Sequence, residues 1–448
     1  MLNLSAYEAR HKVVRALAPE AVRCPRCGHL AERNEIRSRF FWVPDLSGPC
    51  IIEVVAGCYI CQRCPAGKQW FMLLPAEFDT PRQYSLLGYR TIVDLVREHR
   101  MSVEEAAAVG RNVLHMCELD AATVLAWVRQ DGEALDTKAR LAKAAAAFSG
   151  ELALDEVYDG EWYQLKATDP LNGLELAWKL ERGAPSEDDV KSFLLELKAA
   201  GIDPKLVVTD GSTLYPSVLA EVWPNAKHQR CVFHFIKQIN EDLGKAFWEI
   251  YDAMPKPPKR KAGRPKKRGR PREDQRKRDD RQKVRKARFV FLKRDDRLSD
   301  EERALLQEAI GLCTDLGVLR RFVVQLHELF GPSTQSQAQA EQRRQAILDD
   351  EAFKATAALS RPLDRLRDDD LFARLTRYLD FDNADKTSNH VERENREFRN
   401  RQKTHYRMRS RRSLVALLDL LSARHVVPTE PRRLRPRASA GEEVRPAA

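Results

Sequence analysis

Three acidic residues far apart in the chain set the chemical question: Asp155 in "LALDEVY", Asp210 in "VVTDGSTLY" and Glu392 in "TSNHVERENREFRN". Asp155 sits in the middle of an apolar, strand-like run, and Asp210 closes a second one. Two carboxylates at neighbouring strand ends repel each other unless a cation neutralises them. A pair of oxygen-bound Mg²⁺ (or Mn²⁺) ions roughly 3.5–4 Å apart is the usual arrangement for cutting and joining phosphodiesters. Glu392 heads a basic run that reaches Arg412, and it is the third carboxylate that would complete such a cage. Glu394 falls about half a helical turn away and is the weaker candidate. Taken singly, the three acids are ordinary strand, strand-end and helix-start charges. Their order within one strand pattern is what points to chemistry. Asp159 and Asp169 read as turn residues.

The elements that must position these acids follow from pattern. "ELALDEVYDG", "EWYQLKATDP" and "LELAWKLER" are three strand-like runs divided by Asp159-Gly160 and Asn172-Gly173. A helix from about Ser186 to Ala200 opens on the capping-type "SEDD". "KLVVTDG" reads as a strand, "STLYPSVLAEVW" as a helix, "KHQRCVFH" as a strand and "FIKQINEDLGKAFWEIY" as a helix. The order β-β-β-α-β-α-β-α predicts an α/β sheet with helices on its faces. Its first and fourth strands would be neighbours, bringing Asp155 and Asp210 to one edge. Helical periodicity resumes at "LSDEERALLQEAIG", with Ser299 and Glu302 at capping-box spacing, and runs to about Leu379 with a loop near "FGPSTQSQ". A last helical stretch runs from Asn389 to "RHVVPTEP".

These stretches together resemble the RNase H-like DDE transposases of bacterial insertion sequences, in the branch related to the Mutator-like elements. Over about residues 150–415, Asp155 and Asp210 match the two Asp positions and Cys231 with His234 the Cys-x-x-His signature. Asn389, Glu392 and Asn395 match the Asn-x-x-Glu-x-x-Asn motif. The resemblance implies an RNase H-like core interrupted by a mostly helical insertion, with Asp155, Asp210 and Glu392 as a DDE triad. It implies Mg²⁺-dependent cleavage of DNA ends and strand transfer, with terminal inverted repeats and target DNA as partners. A homo-oligomer is expected, since two ends must be held at once. Two other readings are a domesticated DNA-binding descendant that cuts nothing and an RNase H-like nuclease. For Cys231 and His234 the resemblance implies a structural role beside the site; a packed core pair and a metal pair are the alternatives. Asn389, Glu392, Asn395, Arg396 and Arg399 share one helical face by count, and Arg396, Arg399 and Lys403 can hold DNA phosphates.

Six of the nine cysteines crowd into residues 24–64. Cys24-Pro-Arg-Cys27 and Cys61-Gln-Arg-Cys64 form two knuckle-like pairs whose four thiolates suit one structural, tetrahedral Zn²⁺. Cys58 with Cys61 is the alternative second pair. Clustered thiols of this kind fit a reducing cytoplasm better than a disulfide framework.

The net charge of +11 favours a polyanionic partner. It is localised: residues 256–294 hold 20 Lys or Arg against four Asp or Glu, a surplus of 16 that leaves −5 for the rest. Within this stretch "AGRPKKRGRPRE" resembles an AT-hook, with Arg264, Arg268 and Arg270 as minor-groove residues. The plain alternative is a polybasic tether. "SVEEAAAVG", ended by Gly110, and "DAATVLAWVRQ" read either as a helix-turn-helix or as a packing or dimerisation domain. No apolar run is long enough to span a membrane, so a cytoplasmic, nucleoid-associated protein is expected. The organisation expected is a zinc-ribbon-like domain (1–78), a helical domain (79–148), the first part of the core (149–252) and a basic linker (253–298). A helical insertion (299–380), the last part of the core with the Glu392 helix (381–427) and a disordered tail (428–448) complete it.

Overall fold

The computed structural model describes residues 9–80, 83–257, 272–400 and 408–423. They fall into two units, one built from Met1–Arg140 with Asn395–Val426, the other from Leu141–Glu394. Arg264, Arg268, Arg270, Lys403 and the tail from 428 lie outside the described residues.

The first unit opens with a sheet of β1 (Arg10–Arg15), β2 (Glu32–Trp42), β3 (Cys50–Cys61) and β4 (Gln69–Met72). β3 is central, parallel to β1 and antiparallel to β2 and β4. The apolar alternation of "RFFW" and "CIIEVV" buries Phe41, Val54 and Ala56 against Phe78. β1, "RHKVVR", has almost no buried side chain, which is why its sequence carries no strand signal. Three helices follow, α1 (Leu86–Arg97), α2 (Val103–Asn112) and α3 (Ala121–Glu133), capped by Ser85, Ser102 and Asp120. Gly110 does not end α2, which runs on to Asn112. The residue is glycine for closeness, since a Cβ there would lie 2.4 Å from Leu119 Cδ2.

After α4 (Thr137–Ala146), the second unit holds the sheet that the acids require. β5 (Glu151–Asp159), β6 (Trp162–Asp169) and β7 (Leu174–Arg182) form an antiparallel meander. Its turns contain Gly160 and Gly173 at φ +64° and +66°, a conformation that favours glycine. α5 (Glu187–Ala199), with a Ser186–Asp189 capping box, leads to β8 (Leu206–Thr209); α6 (Pro216–Val222) leads to β9 (Lys227–Arg230). The strand order is β7-β6-β5-β8-β9, with β8 and β9 parallel to β5 and to each other. One face packs Leu152, Leu154 and Val207 against Phe193 and Leu197 of α5 and Leu219 of α6. The other face carries Ala153, Leu206 and Val208.

The run "KHQRCVFH" is not one strand. β9 stops at Arg230, Cys231 is the N-cap residue of α7 (Val232–Ala253), and His234 lies in the first turn of that helix. Phe235, Ile239, Leu243 and Phe247 of α7 join the core of the helical block, so the sheet and the insertion share one continuous helix.

The stretch read as a basic linker is helical over much of its length. α8 (Arg272–Ala287) buries Val284 and Ala287 in the same core. Arg281 stacks on Tyr251 at 4.0 Å and donates to the carbonyls of Tyr251 and Met254. Charge alone hid this, because a long basic side chain can pack along its stem. Then come α9 (Asp300–Leu312), α10 (Thr314–Leu329), α11 (Gln337–Asp349), α12 (Glu351–Ala355), α13 (Ser360–Arg367) and α14 (Asp369–Thr376). Ser299 and Glu302 form the expected capping box on α9.

α15 (Asn389–Asn400) starts in this unit, and from Asn395 the chain belongs to the first. The helical stretch after Asn389 is therefore two helices. The second, α16 (Arg411–Ser422), packs on α3: a Cβ on Gly132 would lie 2.4 Å from the Ala416 carbonyl oxygen. Arg129 donates to the Ser413 hydroxyl at 2.7 and 3.0 Å, and Arg412 to Glu133. The residues read as the end of the sheet domain thus close the N-terminal unit. On α3 only Ala122, Gln130 and Glu133 are exposed, which supports its reading as a packing helix over a groove-reading one. Among the described residues no helix is long and apolar enough to cross a membrane.

Candidate active site

β5 and β8 pair in parallel with Ala153 opposite Val208. Two residues further along each strand, Asp155 comes level with Asp210. Side chains alternate along a strand, so both acids lie on the face of Ala153, Leu206 and Val208, where Val391 of α15 packs. The local sequence explains the placement. Apolar residues fill the strands until the sheet ends, and the chain turns at Asp210, whose carboxylate accepts the Ser212 amide at 2.7 Å.

A third carboxylate joins the pair, and it is Glu156. Oxygens of Asp155, Glu156 and Asp210 lie within 4.8 Å of one another. By alternation Glu156 belongs to the opposite face, yet its oxygen reaches the pair beyond Thr209, where β8 ends. The Tyr215 hydroxyl donates to it. Burial pushes the Glu156 carboxyl above its usual range, and the negative charge of Asp210 adds to this. The buried Tyr215 phenol is raised in turn, by burial and then by Glu156, Asp155 and Asp210. Three crowded oxygen donors, with Glu156 raised by burial and by Asp210, fit a hard divalent cation. Sequence reading passed over Glu156, although the signal was the second letter of "DE" in the strand.

Glu392 sits in the first turn of α15 and groups with Cys231 and His234, ligand atoms of these three also lying within 4.8 Å of one another. Its Oε1 is 3.6 Å from His234 Nδ1 and accepts the Ser388 hydroxyl at 3.1 Å. The His234 imidazole is raised to about 9, first by its hydrogen bond with Cys231, then by the charges of Cys231, Glu392 and Asp210. Burial opposes ionisation of the Cys231 thiol, yet hydrogen bonds from His234 and Ser388 hold it below its usual value. One imidazole thus feels both Glu392 and Asp210.

The other candidates separate clearly. Glu394 lies 3.9 Å from the ammonium of buried Lys166, which pairs with Glu175 at 2.7 Å. Asp169, read as a turn residue, is the last residue of β6, and its carboxylate accepts the amides of Ser149, Leu171 and Asn172. α15 buries Val391, Asn395 and Phe398 and exposes Asn389, Arg396 and Arg399, so Asn395 does not share the outward face of the arginines.

In the first unit, the sulfurs of Cys24, Cys27 and Cys64 lie within 4.8 Å of one another, and Cys61 Sγ is 3.6 Å from Cys27 Sγ. Gly28 and Gly67, at φ +71° and +86°, turn the chain after each pair. Cys58, on β3, has Arg37 and Glu35 as its charged neighbours and is not in this group. All described cysteines are free thiols. Four converging sulfurs are a donor set that fits Zn²⁺.

A search of curated proteins returns no match. The solved structure of a Drosophila P element transposase strand transfer complex aligns with a TM-score of 0.40 and 12% identity, over 75% of this chain and 91% of that one. The family model of the ISL3-type DDE transposases, described as "Transposase", matches residues 163–414. That span is more than half of the chain; it includes Asp210, Cys231, His234 and Glu392, and Asp155 precedes it. The chain therefore belongs to the ISL3-type DDE transposase family.

Proposed function

We propose that this transposase cleaves DNA ends and transfers strands with Asp155, Asp210 and Glu392 as its acidic triad. The observation that carries the reading is the meeting of Asp155 and Asp210 on adjacent parallel strands, in a chain of this family. The order β7-β6-β5-β8-β9 supports an RNase H-like core. Asp155 and Asp210 would hold Mg²⁺ or Mn²⁺, two per site, with Glu392 completing the set; such ions supply Lewis-acid activation and charge neutralisation in phosphoryl transfer. No Ser or Tyr nucleophile is required. Exposed Arg396 and Arg399 are suited to DNA phosphates. The four cysteines support a zinc ribbon at the N-terminal end, and the Cys231/His234 pair supports kinship with the Mutator-like branch. Terminal repeats and target DNA are the proposed substrates, handled by more than one subunit.

The test is incubation of the full chain with duplexes copied from the DNA flanking its gene, with and without Mg²⁺. Nicked ends and joined products are expected. Nicks without joined products would favour a nuclease, and binding without nicks a domesticated DNA-binding protein.

A further inference from the structure

Glu392 and the strands that carry Asp155 and Asp210 are separated in sequence by the whole helical block, α7 to α14. A carboxylate delivered over such a distance needs local fixing, since a chemical site tolerates little misplacement. The sheet itself supplies it. The Val232 amide, the first of α7, donates to the carbonyl of Lys386 at 2.9 Å. The Ser388 amide donates to Cys231 Sγ at 3.3 Å, and the Ser388 hydroxyl to Glu392. One turn further along α7, His234 faces the same carboxylate at 3.6 Å. Cys231 and Ser388 are both fully buried, so these bonds are shielded from water.

We propose that Cys231 and His234 are positioning residues that clamp the segment from Lys386 to Glu392 onto the end of β9. The clamp fixes Glu392 from the β9 side, and the Lys386 ammonium, donating to the Phe330 carbonyl at 2.6 Å, ties the same segment to the helical block. Cys231, at the N-cap position of α7, turns its sulfur to accept the Ser388 amide of the arriving segment rather than an amide of its own helix. His234, in the first turn of α7, faces the Glu392 carboxylate at 3.6 Å. The role of Glu392 in catalysis rests on the function proposed above; the clamp itself does not.

Hydrogen exchange on the full chain separates the two. In Cys231→Ala and His234→Asn, exchange in peptides covering residues 386–392 is expected to rise about tenfold, while β5 and β8 keep their protection. Cys231→Ser, which keeps an acceptor for the Ser388 amide, is expected to restore most of it. His234 is partly exposed, so its variant keeps the test open if Cys231→Ala fails to fold. Unchanged exchange in His234→Asn and in the folded Cys231 variant would overturn the clamp, whatever happens to cleavage. Faster exchange with a matching fall in the rate of Mg²⁺-dependent nicking, at unchanged DNA affinity, supports both readings. Faster exchange with nicking unaltered keeps the clamp and removes Glu392 from the proposed triad.

Discussion

The hydroxyl of buried Tyr215 donates to the carboxylate of Glu156, a residue whose strand position turns it away from Asp155 and whose oxygen nevertheless reaches the Asp155–Asp210 pair. Glu156→Gln is expected to raise the Mg²⁺ or Mn²⁺ concentration for half-maximal nicking by about tenfold, since one carboxylate is lost beside the proposed cation site. Tyr215→Phe should move the same midpoint by less and cost about 1 kcal/mol of stability, the usual worth of one hydrogen bond. Cation titrations of both variants read this directly; a Gln variant that titrates like the parent would remove Glu156 from the site.

Asp155→Asn and Asp210→Asn are the sharper test of function. Each should lower cleavage at least about a thousandfold, or roughly 4 kcal/mol of barrier, while DNA affinity measured by anisotropy stays the same. Retained cleavage in either would remove that acid from the proposed triad.

The cysteine cluster makes a compositional prediction. Protein purified without chelator should carry one zinc per chain by elemental analysis. Cys64→Ser should lose it and Cys58→Ser should keep it, because only Cys64 converges with Cys24 and Cys27.

How much of this was readable in advance depends on what each signal measures. Periodicity and turn glycines gave the succession of strands and helices, and the expectation that the first and fourth strands are neighbours put Asp155 beside Asp210. Glu156 escaped because alternation assigns it to the far face, and a long side chain beside the point where β8 ends can still reach the pair. The strand-like look of "KHQRCVFH" hid a helix N-terminus, as the start of α7 is held by tertiary bonds, the Val232 amide to the Lys386 carbonyl and the Ser388 amide to Cys231 Sγ. α8 was masked by its charge. The return of α16 to α3 is a long-range packing choice with no local signature, and Gly132 meeting Ala416 shows its cause only in three dimensions.

Glu151 offers a pH test. Its carboxyl is pushed up to about 8, first by burial and then by the charges of Asp385 and Asp169, while it accepts the Asp385 amide. The folded chain thus keeps a proton that the unfolded chain releases near 4.5. The sign follows: this contribution is fully present below the ordinary carboxyl range and is lost as pH rises towards 8, by up to about 1.4 kcal/mol per unit. Asp385 is raised by burial as well, so the slope belongs to the pair. Denaturant titrations across pH should show a flatter slope in Glu151→Gln, which keeps an acceptor for the amide. An equal slope would mean that the proton resides elsewhere.

Gly132→Ala tests the α3–α16 contact. The added methyl would overlap the Ala416 carbonyl, and overpacking of this kind costs about 1–3 kcal/mol, against a helix-propensity gain near 1. A lowered melting temperature is expected; a raised one would mean that the helices separate easily.

That contact also bears on how the polypeptide matures. A ribosome emits α3 nearly three hundred residues before α16 exists, so the N-terminal unit stays unfinished until the final stretch emerges. Messages cut short, or chains released early, would leave the apolar flank of α3 open to proteases and chaperones.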